Sequence, residues 1–131
     1  MWCDASDLAI GVVLEIDGRT AEDAAWLRKK HDHSHINLAE IDAAVRGLAL
    51  AIRWKLKFIT LMMDSVAVKK WLNTAIEDER PLRSRALAEM LIKRRIGVFK
   101  ETMEAYDATV DIQLVPSHVN KADVLTRVPR H

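Results

Sequence analysis

The chain has 131 residues, half of them hydrophobic and 30% charged, with a formal net charge of +1. That length suits one domain, residues 1–131, around a single core, and the mix excludes a disordered or fibrous chain. The near-neutral balance excludes bulk charge as the means of gripping a polyanion, and no apolar run is long enough to span a membrane.

Residues 2–6 read as a short first strand. Ala9–Ile16 is rich in β-branched residues and reads as a second. Asp17-Gly18 is a hairpin turn signal, which makes Arg19–Leu27 a third, antiparallel strand. Residues 28–34 are a polar connection carrying the alternating histidines His31, His33 and His35. The expected role of these is a polar loop rather than a transition-metal site. Asn37 then caps a helix running to about residue 54, with Ile41, Ala44, Val45, Leu48 and Ile52 on one face.

Phe58–Met63 has strand composition and ends at Asp64. A short helix follows, with Val66, Val68, Trp71 and Leu72, and then a polar break at 77–81. Residues 82–106 have a helical period, with Leu87, Met90, Leu91, Val98 and Met103 as candidate core contacts. Residues 109–115 alternate as a half-buried strand. A loop at 116–120 leads to a short final helix at 121–127. No internal repeat or domain linker interrupts this order.

Cys3 is the lone cysteine. It cannot close an internal disulfide, so a buried strand thiol in a reducing, intracellular setting is the expectation. No signal-peptide pattern precedes Asp4.

Four acids stand at the ends of these elements: Asp4, Glu40, Asp64 and Asp123. A carboxylate where a core strand ends costs desolvation and mutual repulsion unless cations neutralise it. Hard divalent ions held by carboxylate oxygens do this, and two such ions suit phosphoryl transfer.

Asp4-Ala5-Ser6 with the following hairpin, Ala39-Glu40-Ile41, Met63-Asp64-Ser65, and Val115-Pro116-Ser117-His118-Val119-Asn120-Lys121-Ala122-Asp123 together resemble the ribonuclease H domain of a gypsy-type long-terminal-repeat retrotransposon. The resemblance spans nearly the whole chain. It implies an α/β, ribonuclease H-like fold, with a five-stranded mixed sheet of order 3-2-1-4-5 flanked by helices. It also implies a first strand that starts further upstream than Met1.

The same resemblance implies a metal-dependent endonuclease acting on the RNA strand of RNA/DNA hybrids, leaving 5′-phosphate and 3′-hydroxyl ends. Asp4, Glu40, Asp64 and Asp123 would hold two Mg2+ ions, with Mn2+ as a substitute. Asn37 would contact the RNA 2′-hydroxyl, the group that separates RNA from DNA. Ser6 and Ser65 would contact phosphate or sugar, and His118 would assist proton transfer or product release. The glycine-containing stretch that the family usually carries between histidine and asparagine is missing here. The family setting is a polyprotein, tethered to a reverse transcriptase polymerase domain in the cytoplasm, a retroelement particle or the nucleus.

Other readings use the same residues. Asn37 and Glu40 have capping-box spacing, Asp64 could be a solvated strand end, and Asp123 a first-turn acid favoured by the helix dipole. Asp42 is expected on a solvated side of its helix. Trp26, Trp54 and Trp71 are expected to pack rather than stack on bases. Basic residues cluster at Arg53, Lys55 and Lys57, at Lys69 and Lys70, from Arg80 to Arg85, and at Lys93, Arg94 and Arg95. Of these, Lys69, Lys70, Arg83 and Arg85 follow the Asp64 strand closely enough to meet phosphates. An integrase or transposase core would pair Asp4 and Asp64 with Glu101 or Glu104 instead of Glu40. An inactive, retroelement-derived binding domain is the third alternative.

Overall fold

The computed structural model describes residues 1–28, 36–77 and 87–127, with 87–89 described in backbone alone. His31, His33, His35, Arg80, Arg83 and Arg85, and most of the polar break after Glu77, lie outside the described residues, as does the side chain of Leu87.

Strands β1 (Trp2–Ala5), β2 (Ala9–Ile16) and β3 (Arg19–Leu27) form an antiparallel meander, and helix α1 (Ile36–Arg53) follows. Next come β4 (Phe58–Met63), α2 (Val66–Glu77), α3 (Leu87–Ala105), β5 (Thr109–Leu114) and α4 (Asp123–Thr126), with a 3-10 turn at Ser117–Val119 before α4. The sheet order is β3-β2-β1-β4-β5, with β4 parallel to both β1 and β5. The expected strand order and mixed sheet are therefore present.

The β2–β3 hairpin closes through Asp17 and Gly18, both at positive φ (54° and 79°). That is the type I′ turn, whose twist matches the flanking strands. Lys55 (φ 60°) and Asp107 (φ 54°) occupy the left-handed position just past α1 and α3. The amides of Leu56 and Ala108 return to the carbonyls of Ala51 and Met103, so both helices end in the same closing turn.

Side-chain alternation gives the sheet two unequal faces. Cys3, Val12, Leu14, Ile59, Leu61, Met63 and Ile112 turn toward α1, α2 and α3 and form the main core. Leu48, Leu61 and Leu72 are wholly buried there, each stabilising the fold by about 1.5–3 kcal/mol. Trp2 and Val13 turn the other way, against Ala122, Met62, Val115 and Leu125. On this face α4 covers β1 and β2, while Phe58 and Thr60 of β4 remain exposed.

Three expectations are corrected. Helix α1 starts at Ile36, so Asn37 lies inside the first turn and does not cap it. The buried face of α3 is Ile92, Ile96, Phe99 and Met103, whereas Met90, Leu91 and Val98 are exposed. Helix α3 carries two apolar stripes, and the one that meets α1 and α2 became the core. Asp42 is not left to solvent: Arg95 of α3 donates to its Oδ1 at 2.6 Å, tying α3 to α1.

Cys3 is buried as expected, and burial pushes its thiol up to about 12, which makes it a poor nucleophile. Trp26 lies half-buried under the Arg46 guanidinium, and Trp54 donates its indole N–H to Glu22. Among the described residues no helix is long and apolar enough to cross a membrane.

Candidate active site

Asp4 shares the face of Trp2, two residues along β1, and is only 7% exposed. In the parallel ladder Trp2 pairs with Met62, so two residues further on Asp4 comes level with Asp64, just past the end of β4. Burial, and then the like charge of Asp64, push the Asp4 carboxyl from 3.8 up to about 7; Asp123 adds to the rise. Hydrogen bonds from the Thr126 hydroxyl and the Ala5 amide act against it. Asp4 is thus a desolvated acid held next to another acid, an arrangement that opposes folding unless something neutralises it.

Glu40 reaches the same neighbourhood from the second turn of α1. Burial raises its pKa, the nearby Ser65 hydroxyl lowers it, and Asp64 raises it again. Its Oε2 is buried with no hydrogen-bond partner. Ser65 also accepts the Val68 amide at 3.2 Å, which caps α2 and fixes the end of the Asp64 strand.

The C-terminal segment brings in the fourth acid. Asn120 is buried, donates to the Cys3 carbonyl at 2.9 Å and accepts the Ala122 amide at 3.0 Å. Its Nδ2 also lies 3.4 Å from Asp64 Oδ2, so one side chain joins β1, the end of β4 and the start of α4. Asp123 opens α4, and Arg127 one turn later donates to its Oδ2 from Nε at 2.8 Å and Nη2 at 2.5 Å. Arg127 is largely exposed, so this pair is weak and open to exchange.

Thr126 Oγ1 stands 3.1 Å from Asp4 Oδ2 and 2.9 Å from the Asp123 carbonyl. Docking of α4 depends on Gly11, the ladder partner of Asp4. A Cβ there would stand 2.9 Å from Leu125 Cβ and 3.0 Å from the Ala122 carbonyl oxygen.

The four acids are electrostatic neighbours in the chain Glu40–Asp64–Asp4–Asp123. Among the described residues, no three acid, histidine or cysteine side chains close into a finished ligand cluster. Like charges give them no reason to converge on their own. The donor set nonetheless fits a hard divalent cation. All the groups are carboxylate oxygens, and one of them, Glu40 Oε2, is buried without a partner.

Ser6 donates to the Thr126 carbonyl at 2.5 Å and accepts the amides of Leu8 and Ala9, so its hydroxyl braces α4 against the β1–β2 loop. Asn37 is half-buried in the first turn of α1, one turn before Glu40. His118 stands exposed on the 3-10 turn, two residues before Asn120. Lys69 and Lys70 lie on α2, half-buried and exposed respectively. Glu101 and Glu104 are exposed on α3, a helix that packs on α1 and α2 rather than on β1 or β4. Sequence reasoning assigned no role to Gly11, Asn120, Thr126 or Arg127. The polar run from Asn120 to Arg127 around Asp123 was the available signal for three of them.

No protein-family model matches this sequence, and no curated protein matches it. Solved structures do. RNase H1 from the halophilic archaeon Halobacterium salinarum superposes with a TM-score of 0.71 at 25% identity, over 89% of this chain and 80% of that one. The N-terminal RNase H domain of a Mycobacterium tuberculosis protein superposes with a TM-score of 0.72 at 15% identity, over 95% and 87%. The fold is the ribonuclease H fold.

Proposed function

We propose that the chain is a ribonuclease H: an endonuclease that cuts the RNA strand of RNA/DNA hybrids and leaves 5′-phosphate and 3′-hydroxyl ends. The observation that carries this reading is the meeting of Asp4 and Asp64 at the ends of parallel neighbouring strands, with the unpartnered oxygen of Glu40 beside Asp64. The solved neighbours, named as RNase H proteins, support it.

Asp4, Glu40, Asp64 and Asp123 would hold the divalent cations, two Mg2+ or Mn2+ in their place. When bound, these supply the positive charge that favours water attack on a phosphodiester and departure of the ribose oxygen. The protein's own part is orientation. Asn120 steadies the Asp64 end of the site and Ser65 the Glu40 carboxylate, while Arg127 keeps Asp123 on α4 until a stronger cation competes. Asn37, one turn before Glu40, would read the RNA 2′-hydroxyl. Ser6 and Ser65 would meet phosphate or sugar, which for Ser6 requires release of its brace to Thr126. His118 would move a proton or help product leave.

The motifs around the four acids support an origin in a gypsy-type retroelement polyprotein, with a tethered reverse transcriptase polymerase and an intracellular site of action. The test is cleavage of an RNA/DNA hybrid labelled on the RNA strand, with single-stranded RNA and duplex DNA as controls. Metal-dependent cutting confined to the hybrid supports the reading, and cutting of duplex DNA alone overturns it.

A further inference from the structure

We infer that Thr126 is a positioning residue for the site, its hydroxyl holding the Asp4 carboxylate in the orientation that receives a divalent cation. This rests on the reading of Asp4 as a metal ligand. Thr126 is 3% exposed, one of three buried polar or charged residues among those described, and its Oγ1 faces Asp4 Oδ2 at 3.1 Å.

The residue is fixed from three directions. Its carbonyl accepts the Ser6 hydroxyl from the β1–β2 loop, and its Oγ1 lies 2.9 Å from the Asp123 carbonyl of its own helix. Its γ-methyl packs against β2, 3.2 Å from where a Cβ on Gly11 would stand. The single hydroxyl proton is shared between Asp4 Oδ2 and the Asp123 carbonyl, and through it α4 bears on the rotation of a carboxylate on β1, 122 residues away in sequence. Ser6 does not share this role, because its hydroxyl donates to the Thr126 carbonyl.

Outer partners of ligating carboxylates typically influence metal affinity by about 10–100-fold. Valine matches threonine in shape but lacks the donor. Thr126→Val therefore keeps the γ-methyl contact with β2 and removes the hydroxyl, with its bonds to Asp4 and to the Asp123 carbonyl. Thr126→Ser keeps the hydroxyl and loses the methyl.

The experiment is calorimetric titration of Mn2+ into the substrate-free chain, alongside melting temperature and hybrid cleavage, for the wild type and both variants. The expected result is Mn2+ affinity lowered about tenfold or more in Thr126→Val, with most of it recovered in Thr126→Ser. Should Thr126→Val fail to fold, Thr126→Ala and Thr126→Ser, which both lack the methyl, isolate the hydroxyl in the same way. Wild-type Mn2+ affinity in the valine or alanine variant overturns the inference, as does equal loss in the serine variant. A wild type whose Mn2+ affinity depends on the Thr126 hydroxyl but which cuts no hybrid would sink the proposed activity and leave the inference standing. A wild type that binds no Mn2+ overturns both.

Discussion

Asp4 and Gly11 are direct partners across the β1–β2 ladder, and the missing side chain of one makes room for the helix that reaches the other. The atoms that a Cβ would meet include the Ala122 carbonyl and Leu125 Cβ, which cannot swing aside as the tip of a long side chain could.

Gly11→Ala is therefore expected to push α4 outward, costing about 1–3 kcal/mol of stability as an overpacked contact. Hybrid cleavage should fall by more than stability alone explains, because Asp123 and Thr126 move with the helix. Thermal melting and cleavage below the melting transition read the two effects separately. A variant with wild-type stability and activity would mean that α4 docks less tightly than these distances indicate.

The Asp4 carboxyl carries a pH dependence of definite sign. Its folded-state pKa of about 7 lies above its ordinary 3.8. Between those values the folded chain keeps a proton that the unfolded chain has lost, so Asp4 makes stability fall as pH climbs from about 4 to about 7. Glu40, also raised, acts in the same direction. In chelator, the melting temperature of the wild type relative to Asp4→Asn should drop across this window, and saturating Mg2+ should reduce the drop. A difference that stays flat with pH would show that Asp4 is not the strained acid described here.

Asp64 raises the pKa of both Asp4 and Glu40, so removing its charge relieves two neighbours at once. Asp64→Asn should melt at a higher temperature than wild type without metal, and lose that advantage when Mg2+ is added. A lower metal-free melting temperature would indicate that the Asn120 contact to Asp64 matters more than the repulsion.

The two glutamate readings separate by mutation. Glu40→Gln should lower hybrid cleavage by more than about 100-fold, because even outer partners of a metal site typically count for 10–100-fold. Glu101→Gln and Glu104→Gln, on the exposed side of α3, should stay near wild type. The reverse pattern would assign the chain to the integrase-like alternative.

With a formal net charge of only +1, the isolated chain should bind hybrid weakly, at micromolar concentrations or above. Affinity should fall steeply with added salt as phosphate contacts release counterions. Tight binding that is indifferent to salt would point to an interface that does not rest on phosphate contacts.

The strands were legible because their signals are local. Alternation marks β5, the Asp17-Gly18 turn registers β2 on β3, and an apolar run closed by an acid marks β4. Asp4, Asp64 and Asp123 could be singled out for the same reason, as each sits at an element end, whereas Glu40 lies in the second turn of α1 and is marked by its motif. Relationships that close only in three dimensions stayed hidden. Thr126 meets Asp4 across the whole fold, Asn120 spans from Cys3 to Asp64, and the partner of Asp42 is on another helix. Periodicity could not choose between the two apolar stripes of α3, since both have helical spacing and only packing against α1 and α2 decides. Nor could spacing show that Asn37 lies inside α1 rather than capping it.

The most direct measurement is Mg2+-dependent cleavage of an RNA/DNA hybrid labelled on its RNA strand, with wild type and Asp64→Asn side by side. Asp64 is the acid that adjoins both Asp4 and Glu40, so its carboxylate tests the whole arrangement. Wild type is expected to cut the RNA strand into fragments with 5′-phosphate ends, and Asp64→Asn, though folded, is expected not to. A wild type that leaves the hybrid intact in both Mg2+ and Mn2+, or an Asp64→Asn chain that cuts as fast as wild type, would contradict this expectation.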